Sequence, residues 1–378
     1  MGLVSMGSGA PQIGLDIGTD RVRAAILKPS GSGITLAGYA HVPMPMGAIV
    51  DGEIVDSELV ASAIRDLWRQ PGIKGKDVII GVSNQKVVVR LIDLPYMERA
   101  ELEGAIQYQA QDYIPIPIED AILDFQIIGD YMTPADEHMM EVLLVAAQRD
   151  MIAASVAAVE SAGLRLSAID VTTFAITRAV LGGGLDVVPD SDEGPGEAVA
   201  IIHIGSGLTN IAVVEKGVPR FTRVSALSGN QFTQAVANVL NLPFSEAEKL
   251  KIDAGLPDIS GEYIEQASGH GDEETQRRQV AQDALEREAN KFIAEVRRSL
   301  DYYLTQTTQV RTIRRILMTG SAAQLANMAA YLEKGLQAEV SLSDPLRFVQ
   351  VSGSAQQAVM SDRMGAAPAI GLALGGVL

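Results

Sequence analysis

Two stretches of the chain share one pattern of apolar and polar positions. In Ile13–Leu27, IGLDIGTDRVRAAIL, and in Ala200–Val214, AIIHIGSGLTNIAVV, a short apolar run meets a polar residue and passes through Ile-Gly and a small or turn-forming residue; it then alternates polar with apolar. Alternation on either side of a glycine turn predicts a β-hairpin in each place. The two hairpins lie too far apart for a solenoid repeat and suit a duplicated domain. Glycine at each tip lets backbone N–H groups crowd toward an anion, and Thr19 or Ser206 adds a hydroxyl donor. Two such tips facing each other would grip a polyphosphate from both sides.

The remaining pattern fills out two halves. After the first hairpin, Ile34–Tyr39 reads as a third strand. Ser57 is the expected N-cap of a helix to about Arg69, with Val60, Ile64, Leu67 and Trp68 on one face. Val78–Val82 has the continuous apolar character of a parallel strand. Val87–Leu94 is a strand, and Met97–Tyr113 a helix with Leu102, Ile106, Gln109 and Tyr113 as its stripe. Ile114-Pro115-Ile116-Pro117 stops that helix, because each proline biases the residue before it away from the α region. Ala121–Ile128 and Met140–Ala147 flank a polar turn as a hairpin, and Asp150–Ala162 is helical. Residues 84–165 thus read β-α-β-β-α, a small α+β unit inside the first half.

Leu166–Val171 returns to the main sheet and Thr172–Leu181 is helical. The glycine-rich and acidic stretch 189–197 reads as a linker. In the second half the echo hairpin is followed by a strand at Val218–Val224 and a helix begun by Gly229-Asn230. A polar excursion spans 255–278, and Ala281–Leu304 is a long amphipathic helix. Ile316–Met318 is a buried strand running into Thr319-Gly320-Ser321, and Ala366–Leu374 is a short apolar helix. The expected domains are 13–83 with 166–188, an insertion at 84–165, and 198–378. The last of these carries an outer subdomain at 228–310 and a closing helix, 366–376, that packs back on the first domain.

Composition narrows the function. The net charge of −17 argues against a nucleic-acid partner and against anionic lipid, since both select clustered Lys and Arg. With no cysteine, thiolate metal sites and cysteine nucleophiles are excluded, and the four histidines lack metal-ligand spacing. Residues 1–12 have neither the basic nor the apolar region of a signal peptide and are expected to be a tail. No apolar run reaches the length of a membrane span, so any membrane association is expected to pass through a partner.

Taken in order, the motifs resemble the actin-like ATPase superfamily. Asp16-Ile17-Gly18-Thr19 is similar to its first phosphate loop, continued by Asp20, and His203-Ile204-Gly205-Ser206-Gly207 to its second. Gly229-Asn230 opens the following helix, Ala247-Glu248-Lys249-Leu250-Lys251 resembles the helix that holds ribose and adenine, and Thr319-Gly320-Ser321-Ala322 the adenosine loop. The resemblance implies an α/β, actin-like (ribonuclease H-like) duplicated two-domain fold with the α+β subdomain inserted in the first half. It implies ATP and Mg²⁺ as ligands. Asp16 would hold the metal through water, Gly18, Thr19, Gly205, Ser206 and Gly207 the phosphates, and Glu248, Lys251, Gly320 and Ser321 the nucleoside, with Asp20, Gly229 and Asn230 also among the cofactor-binding residues. Backbone donors, hydroxyls and one lysine are chemically apt for that ligand. Glu248 and Lys251 equally suit a surface i,i+3 ion pair.

Two departures bear on turnover. His203 stands where members that hydrolyse ATP carry an acidic residue, and Val171 stands where they carry Glu or Gln to orient water. A valine cannot polarise water and a neutral imidazole is a poor Mg²⁺ partner, so ATP binding with weak or no hydrolysis is expected.

The insertion, with Leu94-Pro95, Glu101-Leu102, Ala105-Ile106, Gln109-Ala110, Tyr113-Ile114-Pro115 and Leu123-Asp124-Phe125-Gln126, and the ending Ala369-Ile370-Gly371-Leu372-Ala373-Leu374, resemble the type IV pilus assembly protein PilM family. That resemblance implies a cytoplasmic scaffold at the inner membrane. Its partner would be the N-terminal cytoplasmic segment of a PilN-like bitopic membrane protein, with a relay toward the pilus assembly motor ATPase. A groove beside the insertion would take the segment, with Val87, Val89 and Leu91 as wall and Tyr108 and Tyr113 as floor; those tyrosines also suit core packing. The competing classes are a filament-forming relative of the cell-division protein FtsA and a small-molecule kinase, for which Asp170 is the tempting base.

Overall fold

The computed structural model describes residues 11–31, 33–182, 197–259, 273–306 and 312–376. The expected tail to residue 10, the linker to residue 196 and residues 260–272 of the polar excursion lie outside them. The first half opens with β1 (Gln12–Ile17), β2 (Arg21–Ser30), β3 (Gly33–Pro43), a short pair β4 (Ile49–Val50) and β5 (Glu53–Ile54), α1 (Ser57–Trp68) and β6 (Asp77–Val82). Then come β7 (Val88–Pro95), α2 (Arg99–Ala110), β8 (Ala121–Met132) and β9 (His138–Gln148), followed by α3 (Arg149–Ser161), β10 (Arg165–Val171) and α4 (Thr172–Leu181). The second half holds β11 (Glu197–Ile204), β12 (Thr209–Glu215), β13 (Val218–Ser225), α5 (Gly229–Leu240), α6 (Phe244–Ala254), α7 (Glu273–Gln306) and β14 (Thr312–Thr319). It is followed by α8 (Met328–Leu336), β15 (Glu339–Leu342), β16 (Gln350–Val351), α9 (Gly353–Met360) and α10 (Ala367–Gly375).

The two main sheets repeat one topology. In the first, β10-β6-β1-β2-β3 run in order with β16 added at the edge, and in the second the order is β13-β12-β11-β14-β15. Each is a three-stranded antiparallel meander whose first strand is extended by two parallel strands. The hairpin registers correspond as well: Asp16 opposes Arg23, and His203 opposes Asn210.

Helices cover the sheets where the sequence supplies apolar faces. Val60, Ile64 and Leu67 of α1 join Ala158 and Val159 of α3 against Leu15, Ile26 and Ile80. Asp56, rather than Ser57, caps α1: its carboxylate accepts the N–H groups of Glu58 and Leu59 at 3.1 and 3.0 Å. α10 lies on the other face of the first sheet, with Ile370 and Leu374 among Ala25, Leu27 and Leu36. The long helix α7 packs Leu285, Phe292 and Val296 on the second sheet. Ile176 and Val180 of α4 reach the opposite face of that sheet, so α4 and α10 form the seam between the halves.

β7, β9 and β8 make a separate three-stranded antiparallel sheet with β9 at its centre. Strand alternation sends Val88, Ile92 and Leu94 toward α2, where they meet Leu102, Ile106 and Ala110. Ala110, not Gln109 or Tyr113, completes the buried stripe of α2, which ends before Tyr113. α3 bridges the two units: Ala158 and Val159 lie in the first-half core, and Met151 and Ile152 meet Ala147 of β9.

Candidate functional site in the cleft

The tips of β1–β2 and β11–β12 face each other across a cavity of about 100 Å³. Asp16, Gly18, Thr19, Asp20 and Arg23 line it from one side, and His203, Gly205, Ser206, Gly207 and Asn210 from the other. In both tips the N–H of the glycine donates across the turn, Gly18 to Arg21 O and Gly205 to Leu208 O, each at 3.0 Å. Gly18 has no room for a side chain: a Cβ would lie 2.9 Å from Arg21 O and 3.2 Å from an Arg23 nitrogen. Ser83, Thr172, Gly365 and Pro368, which belong to no motif in the sequence, also line it. Ser83 and Thr173 both donate to Asn210 Oδ1, at 2.6 and 3.0 Å, which ties the halves together beside the cavity.

Charge in the cavity is concentrated on one guanidinium. Arg23, 4% exposed, is the one Lys or Arg among the described residues lining it. Its Nε donates to Asp362 at 2.7 Å, and Asp16 and Asp20 each lie 3.5 Å from its terminal nitrogens. Burial pushes the Asp16 carboxyl up to about 6, against the attraction of Arg23. Burial, reinforced by Arg23, holds the His203 imidazole down at about 3, so the ring is neutral near pH 7. Its Nδ1 is buried and has no hydrogen-bond partner. Val171 does not face the cavity; it is packed with Val89, Leu143 and Phe174, and Thr172, the first residue of α4, lines the cavity instead. Asp170 is bound to Arg178 in a buried ion pair and is absent from the cavity wall, so it cannot serve a kinase as base.

The residues expected around a nucleoside converge on the second tip. Gly229 N and Asn230 N donate to Gly205 O and Ser206 O at 2.9 and 2.8 Å, and Ser206 Oγ lies 3.5 Å from Ser321 Oγ. Lys251 Nζ donates to Glu248 at 2.7 Å, to Thr233 Oγ1 at 2.9 Å and to Gly229 O at 3.4 Å. With its side chain buried, Lys251 belongs to an internal network rather than a surface ion pair. Gly320, at φ +100°, is where the chain turns against β11; a Cβ there would meet Ile204 O at 2.3 Å. Among the described residues no group of three or more His, Asp or Glu could cage a metal.

The expected groove wall and floor are not brought together. Val87, Val89 and Leu91 face the first half and pack around Phe174, whereas Tyr108, 77% exposed, points outward from α2 on the opposite side of the sheet. Tyr113 is also exposed, just past the end of α2. A different recess, about 590 Å³, runs between α2 and β8, with Ile106, Leu123 and Phe125 as its apolar surface and Arg99, Asp124 and Arg149 among its polar residues. Its β8 side is covered only in part: Leu123, Phe125 and Ile127 pack on the α2 cluster but stay half-buried, and the Arg99 guanidinium lies 5.3 Å from the Phe125 ring centre. No helix among the described residues is long and apolar enough to cross a membrane.

A family model of the type IV pilus assembly protein PilM matches residues 14–377. The cell division protein FtsA of Escherichia coli strain K12 is 24% identical over 386 residues, covering 93% of this chain and 88% of FtsA. Among solved structures, the PilM-PilN type IV pilus biogenesis complex aligns at a TM-score of 0.78 and 25% identity, over 98% of this chain and 100% of that one. The ethanolamine utilization protein EutJ from Carboxydothermus hydrogenoformans shares the fold at a TM-score of 0.54 and 17% identity, over 98% and 91% of the two chains. The architecture is the actin-like ATPase fold, and with the match extending over nearly its whole length the chain belongs to the type IV pilus assembly protein PilM family.

Proposed function

We propose that the protein is an ATP-binding scaffold of a pilus assembly platform, recruited to the inner face of the cytoplasmic membrane by the N-terminal segment of a PilN-like membrane protein. The observation that carries the nucleotide half is the pair of glycine-tipped hairpins meeting over a cavity whose one cation among the described residues is Arg23. Mg·ATP would be held by backbone donors at Thr19, Ser206 and Gly207 and by the Thr19 and Ser206 hydroxyls, the N–H groups of Gly18 and Gly205 being used within their turns, with Asp16 reaching the hydrated ion through water. The ion supplies charge neutralisation for the phosphates. At about 100 Å³ the cavity is smaller than typical small-molecule sites of roughly 300 Å³ or more, so between the closed tips it has room for the phosphates and not for the whole nucleotide.

Hydrolysis would be slow, because neither neutral His203 nor buried Val171 can activate water. The partner segment would dock in the recess between α2 and β8, where an extended peptide can add to the bare strand edge and fill the apolar surface at Phe125. Nucleotide state would tune that docking and pass to the assembly motor.

Calorimetric titration of the full chain with Mg·ATP, with phosphate release followed on the same sample, tests the first half. Binding with turnover well below ~1 per second supports a scaffold, and turnover at or above that rate overturns it. The second half is tested by titrating a synthetic PilN-like N-terminal peptide onto the wild type and Phe125→Asp. A peptide that binds both equally is docked elsewhere.

A further inference from the structure

The turn 361–366 precedes α10 and touches both ends of the cleft without being either phosphate tip. Asp362 sits behind Arg23, away from the cavity wall, with its side chain 7% exposed. It takes Arg23 side-on: Nε donates to Oδ2 at 2.7 Å and the Nη2 nitrogen approaches Oδ1 at 3.4 Å. The Tyr39 hydroxyl donates to Oδ2 at 2.8 Å. A guanidinium gripped along its Nε–Nη2 edge has its Nη1 edge left over. Here Nη1 lies at the first tip, 3.5 Å from Asp16 and 3.2 Å from where a Gly18 Cβ would stand.

Two residues on, the same turn reaches the second half. Met364 O accepts the Gly320 N–H at 3.1 Å and the Thr319 hydroxyl at 3.4 Å. Gly365 lets the turn come this close, because a Cβ there would lie 2.6 Å from Asp362 Oδ1 and 2.9 Å from Arg23.

We infer that Asp362 is a positioning residue for nucleotide binding: it aims the free edge of Arg23 at the terminal phosphates, while Met364 of the same turn fixes the loop under the nucleoside. The inference rests on the ATP reading. Arg23 already stands 3.5 Å from Asp16 and from Asp20, and without the clamp these two cavity carboxylates would draw it fully onto themselves. Clamping keeps the planar fork pre-set, so less ordering remains when phosphate arrives. Tyr39 does for Asp362 what Asp362 does for Arg23.

The test is a titration of the full chain with Mg·ATP, Mg·ADP and adenosine, for wild type, Asp362→Asn, Arg23→Lys and the double variant. Asp362→Asn is expected to weaken ATP and ADP on the order of tenfold to a hundredfold, the scale of a misplaced binding group, and to leave adenosine unchanged. In the Arg23→Lys background, where no planar fork remains to be aimed, the same change is expected to do nothing further. Equal losses in both backgrounds, or an unchanged ATP affinity, overturn the inference. Should Asp362→Asn lose cooperative melting, Tyr39→Phe serves instead: a smaller loss confined to the phosphorylated ligands supports the clamp, and none overturns it. A wild type that binds no ATP overturns the nucleotide reading with it, whereas an inert Asp362→Asn in an ATP-binding protein removes this inference alone.

Discussion

Thr19 and Gly207 are in contact across the cleft: a Cβ built on Gly207 would lie 2.2 Å from Thr19 Oγ1 and 2.7 Å from its Cβ. Gly207 is not in the left-handed region, so its backbone accepts alanine and the obstacle is the opposing tip alone. Gly207→Ala should therefore wedge the tips apart while leaving each half intact. The expected result is a loss of ATP affinity of roughly tenfold or more with a melting temperature within a few degrees of wild type. Unchanged affinity in a calorimetric titration would show that the tips do not close on the ligand.

His203 gives the protein an acid-sensitive centre. Burial lowers its pKa from 6.5 to about 3, so between those values the unfolded chain binds a proton that the folded one refuses. Stability then rises with pH across that window, at up to about 1.4 kcal/mol per unit from this group. His203→Gln should flatten the rise: urea midpoints of wild type and variant should diverge progressively as pH falls from 6.5 toward 4. Parallel curves would mean that the ring is solvated and protonates freely.

What the sequence displayed was local. The hairpins, the three-stranded insertion and α4 were legible because alternation, glycine tips and prolines act within a few residues. β4, β5, β15 and β16 were not, since two to four residues carry no period. α7 begins eight residues before the expected Ala281, because its first turns are strong helix formers without an apolar stripe. The site was half legible. The glycine tips and the Glu248–Lys251 helix stood out as motifs, but Arg23 and Asp362 are 339 positions apart and neither belongs to a spaced pattern. Val171 and Thr172 differ by one step along the chain, and the passage from β10 into α4 between them decides which meets the cavity.

Two helical glycines should respond to alanine with opposite sign. Gly371 of α10 faces α4 so closely that a Cβ would lie 1.7 Å from Ala175 O, a backbone atom no rotamer can move. Gly371→Ala must prise the seam open and should cost at least about 3 kcal/mol. Gly104 of α2 has no atom within 4 Å of its added Cβ, so Gly104→Ala should gain about 0.5–1 kcal/mol from helix propensity. Chemical denaturation of both variants measures the contrast, and a Gly371→Ala variant as stable as wild type would contradict the packing of α10 on α4.

The inserted sheet is held by both halves, which gives it a way to report on the cleft. On one side Val89 and Leu143 pack on Phe174 of α4. On the other, β7 lies against β13, the edge strand of the second sheet, and Arg220 of β13 is ion-paired with Glu141 of β9. β13 pairs with β12, which continues from the tip containing Gly205 and Ser206. Parting or closing the tips must therefore either carry β7 along or strain the Arg220–Glu141 pair. Arg220→Met keeps the length of the side chain and removes the charge, leaving Glu141 partly solvated. Its expected effect is an ATP affinity within about twofold of wild type, because Arg220 does not line the cavity, together with loss of the ATP-dependent change in hydrogen-exchange protection across Val88–Pro95. If β7 in the variant still responds to ATP as in wild type, the signal travels through Phe174 and the first half instead.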